Sequence, residues 1–184
     1  MKTLRLLIFA VALIAFAVVI VPAAGAVTIG SKCVSNSGAP YTLFTTATAS
    51  GESYVVPFNG VVTEWGTDHT DASDPGVVAA VFGSPSGPNW KLSQVTPFQF
   101  VAPGAVVSYP VRAPVSAGQF LGSTTVNDTN PVMCQTGNGT DAGVYGSAYS
   151  VGDSFAPTSI NQYKAAIWAT VEPDVDGDGY GDIT

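Results

Sequence analysis

The stretch Ser53-Tyr54-Val55-Val56-Pro57-Phe58-Asn59-Gly60-Val61-Val62-Thr63-Glu64-Trp65 decides the fold class. Two runs rich in β-branched and aromatic residues flank an Asn-Gly pair. Such residues pack well on a pleated surface and lose rotamer freedom in a helix. Asn-Gly tolerates the positive φ of a two-residue hairpin turn. The stretch therefore predicts strands at 53–58 and 61–65, closed into a hairpin at Asn59-Gly60.

Outward from it the same signal repeats. Residues 27–184 hold 21 Val and 17 Thr against three Leu and three Glu, and 19 Gly and 12 Pro break the chain at short intervals. Further strands are predicted at 41–48, 77–82, 90–95, 98–101, 106–112, 119–125, 143–149 and 163–171. The run 77–82 is apolar throughout, as in a strand buried on both faces. In 106–112, Val107, Tyr109 and Val111 share one face; in 163–171, Ala165, Ile167, Ala169 and Val171 do. Short strands with turns every 8–12 residues or so point to an all-β fold, an antiparallel two-sheet sandwich of jelly-roll-like topology. One domain is expected over 27–171, followed by a short acidic C-terminal tail, 172–184.

Residues 1–26 read as a signal peptide. Lys2 and Arg5 precede an unbroken apolar run, 6–21, and Ala24-x-Ala26 fits cleavage before Val27. The run is short for a bilayer core, which takes about 20 residues. The remainder is thus expected to be secreted, extracellular or envelope-associated, with no membrane contact after cleavage. It keeps four basic and thirteen acidic residues, so a nucleic-acid footprint is absent. Cys33 and Cys134 are expected to form a disulfide in that compartment.

Five of the acids lie in Glu172-Pro173-Asp174-Val175-Asp176-Gly177-Asp178-Gly179-Tyr180-Gly181-Asp182. Calcium takes roughly six to eight oxygen ligands, and a short loop supplies them from its first, third, fifth and ninth side chains and its seventh carbonyl, with glycine sixth. Counting from Asp174, these are Asp174, Asp176, Asp178, Asp182 and the Tyr180 carbonyl, with Gly179 sixth. The twelfth place would be residue 185, and the chain stops at Thr184, as a truncated repeat would. Weak calcium binding is therefore expected, with a dissociation constant of ~10⁻⁴–10⁻³ M. A strand pattern precedes the loop, where an EF-hand needs a helix.

A second acidic group, Glu64, Asp68 and Asp71 around the single histidine, His69, could form another metal site or an acid/base pair. A polar connecting loop explains the same residues. Nucleophile motifs are missing: Gly83-Ser84-Pro85-Ser86-Gly87 has proline where a Gly-x-Ser-x-Gly serine would stand. Trp65, Trp90 and Trp168 could build a sugar-stacking platform or belong to the core. Asn127-Asp128-Thr129 and Asn138-Gly139-Thr140 match the glycosylation acceptor pattern.

The tail resembles thrombospondin type 3 calcium repeats. Together with residues 56–65 and 114–122 it is similar to a group of secreted actinobacterial proteins in which a β-sandwich is followed by one such repeat after a Val-Glu-Pro-Asp junction, here 171–174. The resemblance implies a calcium-associated sandwich without known catalysis, and ligand roles for Asp174, Asp176, Asp178 and Asp182. The chain is thus expected to be a non-catalytic binding or adhesion module for a glycan or cell-envelope ligand. A small hydrolase using the 64–74 loop and an inert structural module are the competing expectations.

Overall fold

The computed structural model describes residues 25–38, 42–126, 131–137 and 139–182. The signal segment up to residue 24, Asn127 and Asn138 lie outside the described residues. Among the described residues there are fifteen strands and no helix. They are β1 (Val27–Gly30), β2 (Ser37–Gly38), β3 (Thr42–Ala47), β4 (Gly60–Asp68), β5 (Gly76–Ser86), β6 (Asn89–Val95), β7 (Gln99–Val101), β8 (Val106–Val115), β9 (Phe120–Thr125), β10 (Pro131–Gln135), β11 (Ala142–Gly146), β12 (Ser154–Phe155), β13 (Thr158–Asn161), β14 (Tyr163–Ala165) and β15 (Trp168–Pro173).

Two antiparallel sheets form the sandwich. One has the order β1-β15-β4-β8; the other runs β12-β6-β5-β9-β3-β11-β13, with β7 beside the start of β5. Within them the pairs β1–β15, β3–β9, β4–β8 and β5–β6 are nested, outermost strand with outermost. That is one long hairpin rolled over on itself, which is the path of a jelly roll. The strands β11, β12 and β13 widen the second sheet, and a small sheet β14-β10-β2 stands beside β3.

Packing explains the apolar run of β5. Val78, Ala80 and Phe82 enter the core between the sheets with Ile29, Leu43, Val62, Trp65, Leu121, Ile167, Ala169 and Val171. Val81 faces the other way, into a second cluster with Phe44, Trp90, Leu92, Ala148 and Phe155. The alternating strand β8 buries one face, and Val107, Tyr109 and Val111 pack against the main core as their spacing requires.

Two local expectations are corrected. Residues 53–58 form no strand, and Asn59-Gly60 closes no hairpin. Pro57 has no N–H to donate to a ladder. Val56 instead bonds Gln119 and Gly118, and Tyr54 accepts the Leu121 N–H, so the segment runs beside the start of β9. Gly60 is the first residue of β4, set between Pro173 and Val115. A Cβ there would lie 2.1 Å from the Glu172 carbonyl oxygen, so close backbone approach requires this glycine. The run 163–171 is likewise two strands. β14 joins the small sheet, and Ala166 and Ile167 cross, fully buried, to β15. Their carbonyls accept the Thr67 hydroxyl at 2.6 Å and the Ser31 N–H at 2.8 Å.

Cys33 and Cys134 are joined across a sequence separation of 101, with Cα atoms 6.2 Å apart. The bond ties the segment after β1 to β10. No helix among the described residues is long and apolar enough to cross a membrane. The disulfide fits an extracellular protein.

Candidate metal centre

The last strand, β15, ends at Pro173, two residues inside the stretch expected as tail, and the chain then curls back. The Asp182 N–H donates to the Pro173 carbonyl at 3.0 Å, and the Val175 N–H donates to the Asp182 carboxylate. Between these ties each aspartate turns one oxygen onto the backbone. Asp174 Oδ2 accepts the Gly179 N–H at 3.0 Å, Asp176 Oδ1 the Asp178 N–H at 3.1 Å, and Asp178 Oδ1 the Tyr180 N–H at 2.7 Å. Short side chains of this kind favour such turns because they reach backbone groups a few residues on. Gly179 sits at φ 77°, a conformation that costs a glycine nothing.

The turns bring ligand oxygens of Asp174, Asp176 and Asp178 within 4.8 Å of one another. Asp174 Oδ1 is buried and has no hydrogen-bond partner. Three converging carboxylates repel, and a buried oxygen without a donor lacks compensation for its lost hydration; a cation relieves both. The donors are all hard oxygens, so the group could hold a metal ion of the hard class.

Of the other two expected ligands, the Asp182 side chain is placed differently. The Asp182 carboxylate lies outside the three-aspartate group and holds the Val175 N–H. Tyr180 lies 59% exposed, with its ring under the Arg112 guanidinium, 2.8 Å from the ring centroid. Arg112 is the residue the sequence reading missed. It projects from β8, donates to the Gly179 carbonyl at 2.6 Å and to the Asp178 carbonyl at 3.5 Å, and so pins the loop to the sandwich. Nothing in the spacing links position 112 to 179.

The second acidic group is not assembled. Glu64 and Asp68 sit four residues apart on β4, roughly 13 Å at strand rise. Asp68 Oδ1 accepts the Thr70 N–H and hydroxyl, Asp71 is exposed in the following turn, and His69 is fully buried. Among the described residues the only group of metal-ligating side chains is the aspartate loop.

The tryptophans form no platform. Trp65, Trp90 and Trp168 are 1%, 6% and 6% exposed. Trp90 stacks on Phe44 at 4.8 Å, and Trp65 meets Tyr109 at 5.1 Å. Trp65 and Trp90 lie on strand faces turned to other apolar side chains, and Trp168 is buried over Gly66 beneath Lys32.

A cleft of about 240 Å³ lies between β3 and residues 51–55, lined by Thr45, Thr48, Glu52, Tyr54 and Phe120. Its carboxylate is already committed. Lys164, nearly buried on β14, lies 2.8 Å from Glu52 Oε2, and Ser31 and Ser50 donate to the same carboxylate. Partial burial raises the Glu52 pKa, but these donors outweigh it and leave it below the ordinary carboxylate value. No family model, curated protein or solved structure matches the chain.

Proposed function

We propose that this chain is a secreted or envelope-associated, non-catalytic binding module that takes up calcium weakly in its C-terminal loop and engages a glycan or cell-envelope polymer. One observation carries the reading: one carboxylate oxygen from each of Asp174, Asp176 and Asp178 converges within 4.8 Å, and Asp174 Oδ1 is buried without a donor. Calcium suits the loop better than magnesium, which demands tighter octahedral geometry and holds its waters. Three aspartates leave a cation of roughly six to eight ligands with open positions. The vicinal hydroxyls of a polysaccharide are oxygens of the right kind to fill them, and both Asp176 and Asp178 are exposed. The export signal and the disulfide support the compartment.

The metal part is tested by thermal unfolding in EDTA and in calcium. With the expected dissociation constant, about 10 mM calcium stabilises the fold by about 1.4–2.7 kcal/mol, a rise in Tm of several degrees. The Asp176→Ala, Asp178→Ala double variant loses that rise while keeping its Tm in EDTA. An identical Tm for the unsubstituted protein in both buffers sinks the metal reading. Sedimentation with insoluble polysaccharides and purified cell walls, in calcium or EDTA, tests the ligand. Retention on one material only in calcium supports the proposal; no retention on any favours an inert structural module.

A further inference from the structure

The end of the sandwich opposite the aspartate loop is closed by His69. It follows the last residue of β4, is 0% exposed, and neither ring nitrogen has a hydrogen-bond partner. Its backbone is a node. The N–H donates to the Ala105 carbonyl at 2.8 Å, and the His69 carbonyl accepts the Gly104 N–H at 2.9 Å and the Ala72 N–H at 3.0 Å. One residue back, the Asp68 carbonyl accepts the Ser35 N–H at 2.8 Å. Three connecting segments, 31–36, 69–76 and 102–105, therefore meet at residues 68–69. The ring rests on Gly76 at the start of β5, where a Cβ would lie 2.7 Å from His69 Cε1.

We propose that His69 is a proton-sensitive latch: neutral, it fills this end of the core and holds the 69–76 and 102–105 loops against the sandwich; protonated, it leaves the core and frees them.

The physical reason is the asymmetry of the site. A neutral imidazole loses one donor and one acceptor interaction on burial here. The imidazolium has two N–H donors and a full charge, and no acceptor receives them. Burial accordingly lowers the His69 pKa, and the Asp68 charge opposes the shift without overcoming it. The Asp68 carboxylate is partly engaged by Thr70. Asp71 and Asp74 are exposed in the next turn. Segment 31–36 contributes only Lys32, which is exposed and lies 5.1 Å from the Trp168 ring centroid, and 102–105 contributes no charge.

The sign follows from linkage. In the opened state His69 titrates near the ordinary value of ~6.5. In the closed state its pKa is depressed, so closure is fully favoured above ~6.5 and weakens as pH falls below it, with the opening constant rising by up to about tenfold per unit. The metal loop lies at the far end of β4, beside Gly60, so acid opening at His69 leaves that loop in place.

Hydrogen exchange read by mass spectrometry at pH 7.5 and 5.5, corrected for the intrinsic rate, tests the latch. The expected result is about a tenfold loss of protection at 69–76 and 102–105, with β9 unchanged. In His69→Gln, and in His69→Phe as an apolar filler, the two pH values should give equal protection in those loops. Equal protection in the unsubstituted protein, or the same acid response in both variants, overturns the proposal. A second measurement stands if neither variant folds. His69 is the only histidine, so in the untagged protein its Cε1–H resonance is unambiguous. Titration below 6.5 together with line broadening in the two loops supports the latch; titration at or above 6.5 overturns it.

Discussion

Replacing Cys33 and Cys134 with alanine, or reducing their bond, is expected to lower the unfolding free energy by about 4–5 kcal/mol. The bond spans 101 residues. In the chain-entropy account, a long loop released in the unfolded state regains the most freedom, and native strain only subtracts from that figure. The structure adds a local reason. Cys134 lies in β10, which belongs to neither sheet of the sandwich and, among the described residues, pairs only with the three residues of β14 and the two of β2. Without the covalent tie those short ladders and the packing of Met133 into the main core must hold the segment. A domain of this size is stable by about 5–15 kcal/mol, so the loss is a large fraction of the total. Urea unfolding with and without a reductant measures it. A midpoint that moves by less than the error of the fit would show that the small sheet needs no anchor.

Trp65→Ala is expected to cost about 3–5 kcal/mol, the range for emptying a buried aromatic site. Trp65 lies in the middle of β4 between Tyr109 of β8 and Ala169 of β15, and is 1% exposed. Its neighbours are side chains held on paired strands, which relax only partly into the space. The outcome separates two roles for the same residue. A surface stacking tryptophan could be removed at a cost within about 0.5 kcal/mol, with loss of glycan retention. A core tryptophan lowers the urea midpoint while the folded fraction keeps any calcium-dependent retention. The second pattern is expected, and the first would contradict the packing around β4.

Much of the fold was legible because its signals are local. The frequency of Val and Thr, the scarcity of Leu and Glu, and the glycine and proline spacing each act on the residue that carries them. The apolar run in β5 and the alternation in β8 report burial directly. The strands that went unread, β1, β2, β10, β12 and β13, are five residues or fewer and carry no usable period. Their ladders exist because a partner is presented by distant chain. The Asn59-Gly60 pair misled for a related reason. It has the chemistry of a hairpin turn, but Tyr54 and Val56 bond the chain at the start of β9 instead, and Gly60 serves the close approach of β15.

The candidate site divides the same way. Asp174, Asp176 and Asp178 were readable because the three lie within five residues and their own turns set the geometry. Arg112 was not readable, because its contact with Gly179 spans 67 residues. The pairing of Lys164 with Glu52 spans 112. His69 looked like a ligand because acids surround it in sequence, yet strand geometry turns it into the core while the acids face outward or hold the next turn.

The sequence by itself thus determined the all-β class, the two-sheet sandwich, the cysteine pair and the aspartate loop. These rest on composition, on periodicity, or on ligands a few residues apart, where the backbone fixes distance. The tertiary structure alone decided which strands are neighbours, that the tryptophans are buried, that Arg112 pins the aspartate loop, and that His69 closes the opposite end. Those depend on segments brought together through space, where the free energy comes from burial and from partners that spacing along the chain does not encode.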